Sequence, residues 1–324
     1  MPSPPDDAPE DSPDDSTDDA PDAPDDVSES PDDASTAPTD TPNSSGDARS
    51  TGRSFTARLG AGWERASDHL PLAAVPVLSS VLNVDAIRRV AAFEGGHFGV
   101  KFPFPMTVAD LWTFVSLPNQ GPGVHVSSPL WLFPVFLVVN AALVAGYLGS
   151  VADLLRVNEY DFVGNVRRYF LPVLGWQALI SAPTFALVGL GLAAGPLVLL
   201  AIPLYFVAAY CFYATPYLVV VEGAGLAAAL SRSLDWALSG GPYFSFALGY
   251  LVFGAVVSAV VTPVVVNLGA VGVVVGTALT APVALALAFA TTEFVADMAA
   301  ANSGDFAAAS GDSGRQSGTN AGWE

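Results

Sequence analysis

The chain has 324 residues, of which 52% are hydrophobic and only 13% charged, with a mean hydropathy of +0.47. A soluble domain carries about a quarter of its residues as charges, so an ordinary water-soluble globule is excluded, and the net charge of −19 argues against nucleic acid as a partner. The single cysteine, Cys211, excludes an internal disulfide and any cysteine-pair metal or redox centre.

Charge is concentrated at the start. Residues 1–50 hold 16 of the 31 acidic residues and one base, Arg49, whereas the rest of the chain is nearly neutral. The segment is built from Pro, Asp, Ser, Thr and Ala. It repeats a Pro-Asp-Asp triplet at Pro5, Pro13, Pro24 and Pro31 and lacks the basic and apolar regions of a secretory signal. It buries nothing and repels itself, so a disordered acidic N-terminal tail is expected over 1–52. One lysine, Lys101, stands against 11 arginines, a composition that resembles that of salt-loving archaea; a GC-rich genome produces the same bias.

A membrane-spanning helix needs about 20 mostly apolar residues. Runs over 130–150, 170–192, 197–221, 243–266 and 268–292 meet this without an interior charge, and none shows the polar face of a soluble helix. A shorter run, 70–84, lies between Asp68 and Asp85 and holds Pro71 and Pro76. The expected fold is therefore all-α: a polytopic helical transmembrane bundle of about six spans within residues 53–298, followed by a second disordered tail over 299–324. Bases near span ends divide unevenly. Arg49, Arg53, Arg58, Arg65, Arg156, Arg167, Arg168, Arg232 and Arg315 fall on one side, and Arg88, Arg89 and Lys101 on the other. The positive-inside rule then places both termini in the cytoplasm and the chain in the cell membrane.

The connections differ in kind. Residues 223–241 carry Leu226, Leu230 and Leu234 at fourfold spacing and predict an interfacial elbow helix; 151–169, with Arg167 and Arg168, predicts another. The long segment 85–129 is expected outside. Its Phe102, Phe104, Trp112 and Phe114 are read as an interfacial aromatic belt or a lid over the bundle.

Candidate chemistry is sparse. Asn140 and Gln177 are the costliest polar side chains to bury within the spans and form a candidate polar pocket. Glu222 and Glu293 stand at the inner ends of two spans as candidate boundary carboxylates, facing water or binding a cation. His69, His97 and His125 lack ligand-like spacing, no phosphate loop, nucleophile elbow or zinc-helix motif is present, and neither metal nor cofactor is expected. The spans carry no ionisable residue near their centres, which counts against an ion-coupled pump.

Residues 210–241 combine a span ending in a Val-rich stretch and Glu222 with an elbow carrying Ala229, Leu230, Arg232 and Ser233, and then another span. This pattern resembles the multi-pass domain of glycerophosphoryl diester phosphodiesterase membrane-type proteins and related haloarchaeal multi-pass membrane families, over about residues 130–298. The catalytic barrel of the phosphodiesterases is missing, so the resemblance implies a membrane domain without that chemistry. The functional expectation is a non-enzymatic membrane scaffold or partner-binding module, in contact with the bilayer and other membrane proteins. The alternative is a facilitator or transporter subunit for a small solute.

Overall fold

The computed structural model describes residues 52–118, 130–194 and 198–313, with side chains described over 131–182 and 203–302 in the last two stretches. The acidic tail, residues 119–129 with His125, the turn at 195–197 and residues 314–324 lie outside the described residues. Among the described residues every regular element is helical.

Helix α1 (Phe55–Asp68) precedes the predicted spans; the Ser54 hydroxyl caps it by accepting from the Ala57 N–H at 3.3 Å. It buries Arg58, Gly62 and Ala66, four residues apart, on one face. A 3₁₀ turn, Leu70–Ala73, leads into α2 (Ala74–Leu82) and α3 (Val84–Ala91). The predicted span 70–84 is thus divided between two helices that together are long and apolar enough to cross a membrane. The chain bends by 64° at Asn83, whose side chain caps α3 by accepting from Ala86 N–H.

Helices α5 (Phe133–Val157) and α6 (Phe162–Ala194) form a tight hairpin after the short α4 (Leu111–Phe114). A β-carbon on Gly146 would lie 2.5 Å from the Phe162 ring, and one on Gly149 would lie 2.6 Å from Asn165. Asn165 donates to the Asp153 carboxylate at 2.6 Å across the same contact. The stretch 151–169, expected as a surface elbow, is instead the tip of this hairpin. Asn158 closes α5 in the left-handed conformation, and Asp161 accepts from the Gly164 N–H to start α6.

Helices α7 (Val198–Phe212) and α8 (Thr215–Val221) are one broken run; Pro216 lies in the first turn of α8. The carbonyls exposed by the break find donors: Tyr210 O takes the Tyr243 hydroxyl at 3.2 Å and Cys211 O takes the Ser233 hydroxyl at 2.8 Å. Ser233 belongs to α9 (Leu226–Ser239), the helix expected as an elbow. Its buried face is Ala229, Ser233, Trp236 and Ala237, while the predicted leucine stripe lies at the flank, half-buried. Helices α10 (Pro242–Asn267) and α11 (Gly269–Ser313) complete the chain.

Among the described residues four helical stretches are long and apolar enough to cross a membrane: Phe133–Val157, Pro203–Glu222, Pro242–Asn267 and Gly269–Asn302. The bent α2–α3 pair makes a fifth if it counts as one. The predicted span 170–192 falls within α6, beyond whose residue 182 no side chain is described. α11 continues to Ser313, past the point where the sequence reading ended the membrane domain. This helix is central. It packs against α1, α2, α3, α5, α8 and α10, and Ala284–Leu287 and Phe289 are fully enclosed. On α10, Phe244, Leu248, Val252, Val256 and Val260 repeat every fourth residue and are exposed. That stripe is far too apolar for a water-facing surface of this length.

Candidate functional site

Two constellations bring together residues distant in sequence. The first is the segment from His97 to Ser116. It lies against the bundle's helices, and apart from α4 it is not helical. At its start the His97 backbone pairs twice with Asn267, the last residue of α10: His97 N–H donates to Oδ1 at 2.8 Å, and Nδ2 donates to His97 O at 3.3 Å. Lys101 N–H then donates to the Ser258 hydroxyl at 2.8 Å. Pro103 lies flush on Gly254, where a β-carbon would come within 2.3 Å of the proline ring. At 1.5 Å per residue, Gly254 is about 20 Å from the Asn267 end, the midpoint of α10.

Beyond this point Met106 O accepts the Tyr217 hydroxyl of α8 at 2.6 Å, and the chain turns back. Leu111 N–H donates to Ser80 Oγ at 3.1 Å, and the Trp112 indole donates to Ser80 O at 2.8 Å. Ser116 N–H donates to Thr262 Oγ1 at 3.0 Å. Entry and exit meet where His97 Nε2 lies 2.9 Å from Ser116 O. A carbonyl only accepts, so this contact assigns a proton to Nε2. The segment therefore enters and leaves at the same end of α10, as a re-entrant loop does.

Irregular backbone surrounded by apolar helices must find its hydrogen bonds inside the protein. Pro103 and Pro105 reduce the demand, because neither has an N–H to satisfy. Ser80, Ser258 and Thr262 supply acceptors, the last two from α10. This part of 85–129 thus packs against the bundle, and the four aromatic residues read as a belt or lid do not share one exposure. Leu111 and Phe114 are fully enclosed, Trp112 and Val115 nearly so, while Phe102 stays exposed and Phe104 meets the Phe206 ring at 5.9 Å. Some polar groups in the helices are satisfied within their own helix: Ser181 bonds Gln177 O, and Thr280 bonds Gly276 O.

The loop carries two ionisable groups, Lys101, which remains exposed, and Asp110, which is half-buried. Lys101 turns its ammonium inward to donate to Trp112 O at 2.7 Å, and Asp110 caps α4 while accepting from the Ser79 hydroxyl at 2.9 Å. Reading the chain linearly left both groups outside the bundle.

The second constellation joins α1 to α11. Glu293, expected as a water-facing boundary residue, is 8% exposed and is the hub of an ion cluster. Arg53 Nη1 donates to its Oε1 at 2.5 Å, and Arg65 binds Oε2. Arg58, itself 1% exposed, donates to Asp297 Oδ2 at 2.6 Å and lies 3.8 Å from Glu293 Oε1. Its guanidinium also sits over the Phe294 ring, 5.6 Å from the centroid. Glu222 is held separately, by Arg232 of α9. Each candidate carboxylate is thus neutralised by arginine from its own neighbour.

The two candidate pocket residues differ in exposure. Asn140 is exposed on α5, whereas Gln177 is buried on α6 with Oε1 lacking a hydrogen-bond partner among the described residues. Among the described residues no group of three His, Cys, Asp or Glu is placed to hold a metal. Sequence reasoning missed α1 as a packed element and the inward course of 97–116. The available signals were the alternating Pro103 and Pro105 and the hydroxyls at Ser80, Ser258 and Thr262. Comparison with protein-family models, curated proteins and solved structures gave no match.

Proposed function

We propose that the chain is a non-enzymatic, multi-pass protein of the cell membrane, in which the re-entrant loop serves passage of a small solute. Its six spans are the α2–α3 pair, α5, α6, the α7–α8 pair, α10 and α11. Helix α6 has 33 residues, about 50 Å of helix against a hydrocarbon core of about 30 Å. The distribution of arginine supports cytoplasmic termini, with the Glu293 end of α11 toward the cytoplasm. The resemblance of 130–298 to phosphodiesterase-type membrane domains fits a membrane body and adds no chemistry.

The observation that carries the facilitator reading is the placement of Lys101 on backbone bonded to Ser258, about one turn from the middle of α10, with Asp110 of the same loop against Ser79. Charges at such depth are costly and are generally tied to a solute or ion path. A scaffold needs neither charge there. The partner-binding reading rests on a different feature, the strongly acidic segment 1–50, whose charge suits a basic partner.

The deciding experiment is solute flux in liposomes containing the full chain. Release of small neutral and ionic solutes should exceed that of empty liposomes, and Lys101→Met or Asp110→Asn should alter it. Release equal to that of empty liposomes for every solute would sink the facilitator reading and leave the scaffold.

A further inference from the structure

We propose that α1 is a releasable strap, held across α10 and α11 by an ionic latch on Glu293 and opened by raised ionic strength. This holds whether or not the protein conducts a solute.

The docking of α1 has two unequal parts. One is packing: Gly62 lies against the backbone of α11 at Ala286 and Ala290, and Phe55 sets its ring edge-on to Phe246 at 5.4 Å and to Tyr250 at 6.4 Å. The other is electrostatic. Arg53 and Arg65 reach Glu293 from opposite ends of the helix, and their side chains are 50% and 40% exposed. Salt shortens the screening length from about 10 Å at 0.1 M to about 3 Å at 1 M, and it weakens exposed pairs far more than buried ones. Arg58 and Asp297 form the inner, protected contact, so they set the register to which the strap returns. One carboxylate thus holds both of the arginines that solvent can reach.

The strap covers a consequential surface. Beneath Phe55 lies Tyr250, which is fully enclosed and is an electrostatic neighbour of Tyr217. Tyr217 is the residue that holds Met106 at the inner turn of the re-entrant loop. Phe246 stacks on Phe294 at 4.2 Å, in the same aromatic layer that Arg58 touches. Release of α1 would therefore open the bundle directly below the loop, while α5 and α6 keep their own contacts.

Amide hydrogen exchange of the full chain in lipid nanodiscs tests the strap. Between about 0.1 M and about 1 M salt, exchange across Phe55–Asp68 should rise by about three- to tenfold, the size two half-exposed ion pairs provide. The α5–α6 hairpin should not change. Glu293→Gln should exchange rapidly in α1 at both salt levels. Arg53→Gln combined with Arg65→Gln should abolish the salt dependence; its sites are half-exposed, so it decides the matter if Glu293→Gln fails to fold. Salt-independent protection of α1 in the unmodified chain would overturn the strap, as would α1 opening only together with α5 and α6.

Discussion

Gly62 of α1 faces the carbonyl oxygen of Ala286 on α11 so closely that a β-carbon would lie 2.4 Å from it, and 3.2 Å from the Ala290 nitrogen. Both neighbours are helix backbone and cannot swing aside. Gly62→Val should push α1 off its seat at a cost of about 1–3 kcal/mol. Gly60, two residues earlier, is exposed with open space around it. There Gly60→Ala should stabilise the helix by about 0.5–1 kcal/mol. Thermal unfolding in detergent with limited proteolysis near α1 measures both, and the two substitutions should move it in opposite directions.

Ser80 serves the re-entrant loop twice, accepting from Leu111 N–H through its hydroxyl and from the Trp112 indole through its carbonyl. Ser80→Ala removes the first of these and leaves a buried N–H unpaired, for a loss of about 1–3 kcal/mol. Thr262→Val should act alike, because Ser116 N–H depends on the threonine oxygen. The double variant should cost less than the two losses added, since both loosen one segment. Equilibrium unfolding of the four proteins supplies the comparison.

Asn158 ends α5 at φ +57°, the one non-glycine residue with positive φ among the described residues. Asn158→Gly should leave stability within about 0.5 kcal/mol. A β-branched side chain there meets the left-handed penalty, and Asn158→Val should lose about 1–2 kcal/mol. Melting temperatures of the pair would show whether the hairpin depends on this conformation.

The two polar residues singled out from the sequence should behave differently from each other. Asn140 is exposed on α5, so Asn140→Leu should leave folding and any solute flux unchanged. Gln177 is buried with an unpaired oxygen. Replacing such a group by an apolar side chain of similar size is neutral or stabilising, so Gln177→Leu should raise the melting temperature or leave it in place. A marked loss of flux in Asn140→Leu would instead favour a polar pocket that includes Asn140.

The apolar helices were legible because a run of about 20 uncharged residues is a local property. Boundaries such as Pro242–Asn267 and Phe133–Val157 fall within a few residues of the sequence expectation, apart from the extension of α5 through charged Asp153 and Arg156. α1 was not legible. Arg58 sits on its buried face and spoils the apolar stripe that marks an amphipathic helix. Asp297, the carboxylate that accepts from Arg58 and makes that burial affordable to the fold, lies 239 positions further along the chain.

The segment 97–116 failed to announce itself for the same reason. Its glycines, prolines and single lysine read as an outer loop, and the hydroxyls that accept Lys101 and Ser116 stand 157 and 146 positions away. Composition and hydrophobic run length determined, on the sequence alone, that the chain is helical, apolar and charge-poor outside its acidic tail. Only the tertiary structure decided that Glu293 faces three arginines and that the backbone of Lys101 and the side chain of Asp110 bond to helices of the bundle. Burial of a charge or an irregular backbone is tolerable only where its partner stands in space, and one-dimensional pattern does not carry that position.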